Sequence, residues 1–130
     1  MTIERFGSGA PWESLVGYSR VVRAGEWVLV AGTTATLADG VIAGLGDAEA
    51  QARQAIVNIE SALARVGATL ADVVRTRIHV ADISQWESVG RAHADAFGAA
   101  PPVSAMLQVA GFVDPRILVE IEADAWLAQG

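Results

Sequence analysis

Two stretches of this chain alternate with a period of two and carry opposite charges. Together they constrain the fold more than any other feature. From Asp72 to Asp82, Val74, Thr76, Ile78 and Val80 form one row, and Val73, Arg75, Arg77 and His79 form the other. Near the C-terminal end, Ile117, Val119, Ile121, Ala123 and Ala125 form an apolar row. Leu118, Glu120, Glu122, Asp124 and Trp126 oppose it. Such alternation marks half-buried strands, and each strand needs cover on its apolar side.

Two helical segments supply that cover. In the first, Asp47 is placed to cap and Gly67 to terminate, and Ala52, Ile56, Ile59, Leu63 and Val66 recur at spacings of four and three. The second is predicted to start at Ser84 with a capping box to Glu87, and its stripe is Trp86, Val89, His93 and Phe97. Pro101-Pro102 ends it. Residues 19–23 and 27–31 read as a hairpin across Ala24-Gly25-Glu26. Residues 32–46, punctuated by Gly32, Gly40, Gly44 and Gly46, read as a loop with room for a short edge strand. In a further strand, Val103, Ala105, Leu107 and Val109 alternate with Ser104, Met106 and Gln108.

The element order predicts an α+β fold: a two-layer sandwich of a mixed β-sheet with two helices packed on one face. The other face carries Arg75, Arg77 and His79 against Glu120, Glu122 and Asp124. It is either a solvated face or one that meets other subunits, with acids and bases pairing across the contact. Met106, Leu118 and Trp126, expected on the same face, favour the second reading.

The length of 130 residues fits a single domain over 1–130, and 52% apolar residues suffice for a packed core. There is no cysteine, which removes disulfides and thiolate chemistry and fits a cytoplasmic protein. The start has no signal-peptide pattern and no apolar run approaches a membrane span. The nine basic residues are all arginine and scattered, and the net charge is −6, so nucleic acid is not an expected partner. Phosphate-binding glycine motifs and the GxSxG elbow are missing. His79 and His93 form no metal pattern, so neither a metal nor a cofactor is expected. On an apolar stripe, His93 reads as a satisfied core histidine rather than a catalyst.

Several segments resemble the Rid (reactive intermediate deaminase, YjgF) family. They are Gly17-Tyr18-Ser19, Val30-Ala31-Gly32-Thr33-Thr34, Ala50-Gln51-Ala52-Arg53-Gln54 with Asn58-Ile59, Gly67-Ala68 with Leu70 to Val80, and Gly111 to Ala123. The last is the most specific, and the resemblance covers nearly the whole chain in order. It implies a chorismate-mutase-like fold and a homotrimer with small-molecule clefts between subunits. It also implies hydrolysis of reactive enamines and imines to 2-oxo acids and ammonia.

By the same resemblance, Glu120 matches the family's acidic residue that positions water. Tyr18, Gly32 and Thr33 fall on the substrate cleft. Ser104 stands where the family's carboxylate-binding Arg is expected, and Met106 where many members have cysteine. Serine cannot supply that charge. Arg75, Arg77 and Arg91 are the candidate substitutes. The alternative to a deaminase is therefore a trimeric metabolite-binding or protective protein that uses the same cleft. The acidic balance argues against a third activity attributed to relatives, RNA cleavage or translation inhibition.

Overall fold

Six strands form one sheet in the order β1-β2-β3-β6-β4-β5. They are β1 (Ile3–Phe6), β2 (Val21–Ala24), β3 (Trp27–Thr33), β4 (Val73–Val80), β5 (Val103–Gln108) and β6 (Val119–Trp126). The helices are α1 (Pro11–Val16), α2 (Ala48–Ala64) and α3 (Trp86–Phe97). This computed structural model describes residues 2–128. All neighbouring strands are antiparallel except β4 and β5, which α3 connects as a crossover, so the sheet is mixed.

The α2 stripe packs as its spacing predicts: Ala52, Ile56, Ile59, Leu63 and Val66 are all buried against the sheet. Fully burying a side chain such as Ile59 or Leu63 contributes about 1.5–3 kcal/mol. The Asp47 carboxylate accepts from the Ala50 amide at 3.0 Å and caps the helix. The hairpin of β2 and β3 closes through Gly25 and Glu26, with Ala24 opposite Trp27. Gly25 takes the positive φ (63°) that a two-residue turn requires.

Several local expectations change. The capping box at Ser84 does not form. Asp82 accepts from the Ser84 amide at 2.9 Å and its hydroxyl at 2.7 Å, which opens a short 3-10 turn (Ile83–Gln85) before α3. Trp86, now in the first turn of α3, is 55% exposed, and the buried positions are Val89, Ala92 and Phe97. The N-terminal strand β1 and the six-residue α1 have no strong periodicity and went unpredicted. Residues 32–46 contain a single bridge, Thr36 to Ile42.

A bulge in β4 between Val73 and Arg75 resets the pleat. Val73 is therefore 3% exposed and Val74 42% exposed, the reverse of the expected faces. Met106 lies on the helix side of the sheet, in register with Ile78, and packs against the core. Leu118 precedes β6, escapes its pleat and also packs against the core. Trp126 does lie on the open face, edge-on to Trp27 with ring centroids 5.1 Å apart.

The charged face pairs within the chain. Arg77 lies 3.5 Å from Glu122 and 3.4 Å from Asp124, and His79 lies 3.7 Å from Glu122. The cause is topology, since β4 and β6 are direct antiparallel neighbours and set each base opposite an acid.

Candidate functional site

The site grows from a second bulge, in β3 between Val30 and Thr33, where the register against β6 shifts. It turns the backbone of Ala31 and Gly32 away from regular pairing and leaves their carbonyls in need of donors. Thr33 Oγ1 donates to the Ala31 carbonyl at 2.7 Å. Arg20 donates to the Gly32 carbonyl at 2.7 Å and to Thr33 Oγ1 at 3.0 Å. Its guanidinium carbon lies 5.8 Å from the centre of the Tyr18 ring. Behind it, Glu13 of α1 lies 3.6 Å from Arg20 Nε. Burial raises the Glu13 pKa, but the Ser8 hydroxyl and amide, with Arg20, draw it to a net value below normal. Glu13 is thus a fixed negative charge that holds Arg20 in place.

Glu120 sits on β6 directly beside this bulge. A Cβ built on Gly32 would lie 2.8 Å from the Glu120 carboxyl carbon, so only glycine leaves the carboxylate its space. The cross-strand partner of Glu120 is His79. Burial pushes the Glu120 carboxyl above its ordinary pKa and Glu122 adds to the rise, while His79 and Arg20 pull the other way. Arg20 and His79 act through space, because their ion-pair partners are Glu13 and Glu122. A half-buried carboxyl with a raised pKa, next to a cation and an imidazole, is equipped to exchange protons with a ligand or water.

Two loops are fastened around the site from α2. Gln51 is fully buried. Its amide donates to the Arg116 carbonyl at 2.9 Å and the Gly44 carbonyl at 3.3 Å, and its oxygen accepts from the Leu118 amide at 2.8 Å. Asn58 donates to the carbonyls of Thr34 and Thr36 at 2.9 and 3.0 Å. These bonds set the segment after the bulge and the segment leading to Glu120.

The chain matches the Endoribonuclease L-PSP family over residues 9–127. It belongs to that family, which is also called Rid or YjgF. A Streptomyces coelicolor protein of this size class is 40% identical over 124 residues, spanning 95% of this chain and 92% of the relative. The crystal structure of Rv2704 of Mycobacterium tuberculosis, described as a YjgF/YER057c/UK114 family member, has a TM-score of 0.89 at 52% identity. It covers 97% of this chain and 100% of that one. A Rid-family protein of Yersinia pestis has a TM-score of 0.85 at 26% identity, over 97% of this chain and 100% of that one. The fold is accordingly the chorismate-mutase-like α+β fold of the Rid family.

Within this Rid-family chain, Tyr18, Gly32, Thr33 and Glu120 come together, with Thr33 buried. Ser104 and Met106 do not join them. They lie on the helix side of the edge strand β5, separated from the bulged strand β3 by β4 and β6. Arg75 and Arg77 are engaged with Asp124 and Glu122, and Arg91 lies 3.0 Å from Glu49. The cation at the site is Arg20, which sequence reading passed over. Its signal was present, two residues after Tyr18 at the entrance to the hairpin.

No helix among the described residues is long and apolar enough to cross a membrane, and no group of metal-ligating side chains occurs among them.

Proposed function

We propose that this protein is a Rid-type hydrolase of reactive enamines and imines, with Glu120 as its proton-transfer group. The observation that carries this reading is the half-buried Glu120 carboxyl, raised in pKa and facing a bulge that has no Cβ at residue 32. In the reaction, water adds to the imine carbon while Glu120 takes its proton. Glu120 returns that proton to the nitrogen, and the carbinolamine collapses to a 2-oxo acid and ammonia. Tyr18, Gly32 and Thr33 line the pocket for the ligand. The clefts lie between subunits of a homotrimer; Ser104 and Met106, on the helix side of β5 against their own chain's core, stand outside this pocket. A cytoplasmic location suits substrates of this kind.

A second reading is a cleft that binds a metabolite without deaminating it. What favours it is Ser104: its hydroxyl is neutral and already hydrogen-bonded to Thr76 at 2.8 Å, so it offers a ligand carboxylate no charge. RNA cleavage, which the family's name raises, fits a net charge of −6 poorly.

The deciding experiment is ammonia release from enzymatically generated imines, with wild type and Glu120→Gln. Acceleration that is lost in the variant supports the hydrolase. No acceleration with any imine moves the assignment to the binding protein. Ser104→Arg with 2-oxo acid calorimetry tests the cleft: no gain in affinity is expected, because residue 104 lies on the helix side of the sheet, and a gain would mean that it faces the ligand.

A further inference from the structure

The helix side of the sheet carries a polar cluster that imine hydrolysis through Glu120 does not use. Thr76 points from the middle of β4 into the apolar core and is fully buried. Its Oγ1 donates to Ser104 Oγ at 2.8 Å and lies 2.8 Å from His93 Nε2 on α3. Ser104 is exposed on the edge strand β5, in register with Thr76. The three groups form a continuous hydrogen-bonded wire from a surface hydroxyl to a half-buried imidazole. Phe97 packs against that imidazole with ring centroids 4.6 Å apart, fixing its orientation. Burial lowers the His93 pKa, so the ring is a neutral proton acceptor near pH 7.

We infer that Ser104 is a nucleophile toward activated acyl esters, with His93 serving as its base through the Thr76 hydroxyl. Both hydroxyls rotate freely enough to reverse the wire, so that Ser104 donates to Thr76 and Thr76 to a His93 that carries its proton on Nδ1. In the first step Ser104 Oγ bonds to the acyl carbon. Its proton passes to Thr76 Oγ1, and the Thr76 proton passes to His93 Nε2. The alcohol then leaves, taking the Thr76 hydroxyl proton directly while His93 Nε2 returns its proton to Thr76 Oγ1. Water hydrolyses the seryl ester in the second step and releases a carboxylic acid. The strand β5 pairs on one side only, and its outward backbone amides are the available donors for the oxyanion. This activity goes beyond the imine reading and does not depend on it, because Glu120 lies on the other face of the sheet.

The test is incubation with p-nitrophenyl acetate, following nitrophenol release and mapping the acetylated residue by mass spectrometry. A burst with acetyl on Ser104 is expected. Thr76→Val should slow acylation by about a hundredfold, and Thr76→Ser should restore it. The acylation rate should fall as His93 is protonated on acidification, and that pH dependence should vanish in His93→Gln. Absence of acetyl at Ser104, or wild-type acylation in Thr76→Val, overturns the inference. If Thr76→Val does not fold, a rate in wild type that ignores the protonation of His93 overturns it equally.

Discussion

Gly32 and Glu120 share a single space: the position a Cβ would take on residue 32 lies 2.8 Å from the Glu120 carboxyl carbon and 3.2 Å from its Cγ. The obstructing atoms are the far end of a flexible side chain, not backbone. Gly32→Ala should therefore cost little stability, about 1 kcal/mol, while turning the Glu120 carboxyl out of place. Imine hydrolysis should fall at least about tenfold. Thermal melts and ammonia release on the same preparation check this split, and a large drop in melting temperature with full activity would contradict it.

The raised pKa of Glu120 has a consequence for stability. Its folded value lies above its unfolded one, so between the two the native state holds more protons, and stability falls as pH rises through that window. Above the window the full cost remains. Glu120→Gln should therefore melt higher than wild type at pH 7, by no more than about 4 °C. The difference should disappear below the ordinary carboxylate range, where wild-type Glu120 is protonated in both states. Melting curves at several pH values measure this directly.

Arg20 is the clamp on the β3 bulge, donating to the Gly32 carbonyl and Thr33 Oγ1. Arg20→Met keeps most of the side chain's bulk and removes both bonds, leaving a partly buried carbonyl and Glu13 without their cation. A loss of about 2 kcal/mol is expected in urea titrations. Imine hydrolysis should fall as well, because the backbone beside Glu120 is no longer held.

Gln51 replaces regular structure at the approach to β6, bonding Gly44, Arg116 and Leu118 with one side chain. Gln51→Leu preserves volume but orphans these backbone groups. The expected cost is about 3 kcal/mol by denaturant titration. Hydrogen exchange should accelerate first at the Leu118 amide, ahead of the central strands.

How much of this was legible in sequence follows from the reach of each signal. The α2 stripe from Ala52 to Val66, the Asp47 cap and the alternation of β6 were readable because each depends on residues a few positions apart. The Val73–Val74 inversion was not, because a bulge is set by a partner strand far away in sequence. Met106 was assigned to the wrong face because β5 has apolar residues in both of its rows, so alternation alone cannot orient it. Arg20 escaped because an arginine near a turn is ordinary until the bulge it clamps is known.

The sequence by itself determined the strands from β2 onward and the two main helices, the apolar surfaces they must bury, and the family to which the whole pattern belongs. These follow from local periodicity and from the free energy of removing apolar side chains from water. Only the tertiary structure decided which polar groups meet. It put β6 between β3 and β4, which brought Glu120 to Gly32 and His79 and closed the charged pairs within the chain. It also sent Thr76 inward to meet Ser104 and His93. Such meetings depend on strand order, bulges and register, and no spacing along one strand encodes them, because each is fixed by a neighbour contributed from elsewhere in the chain.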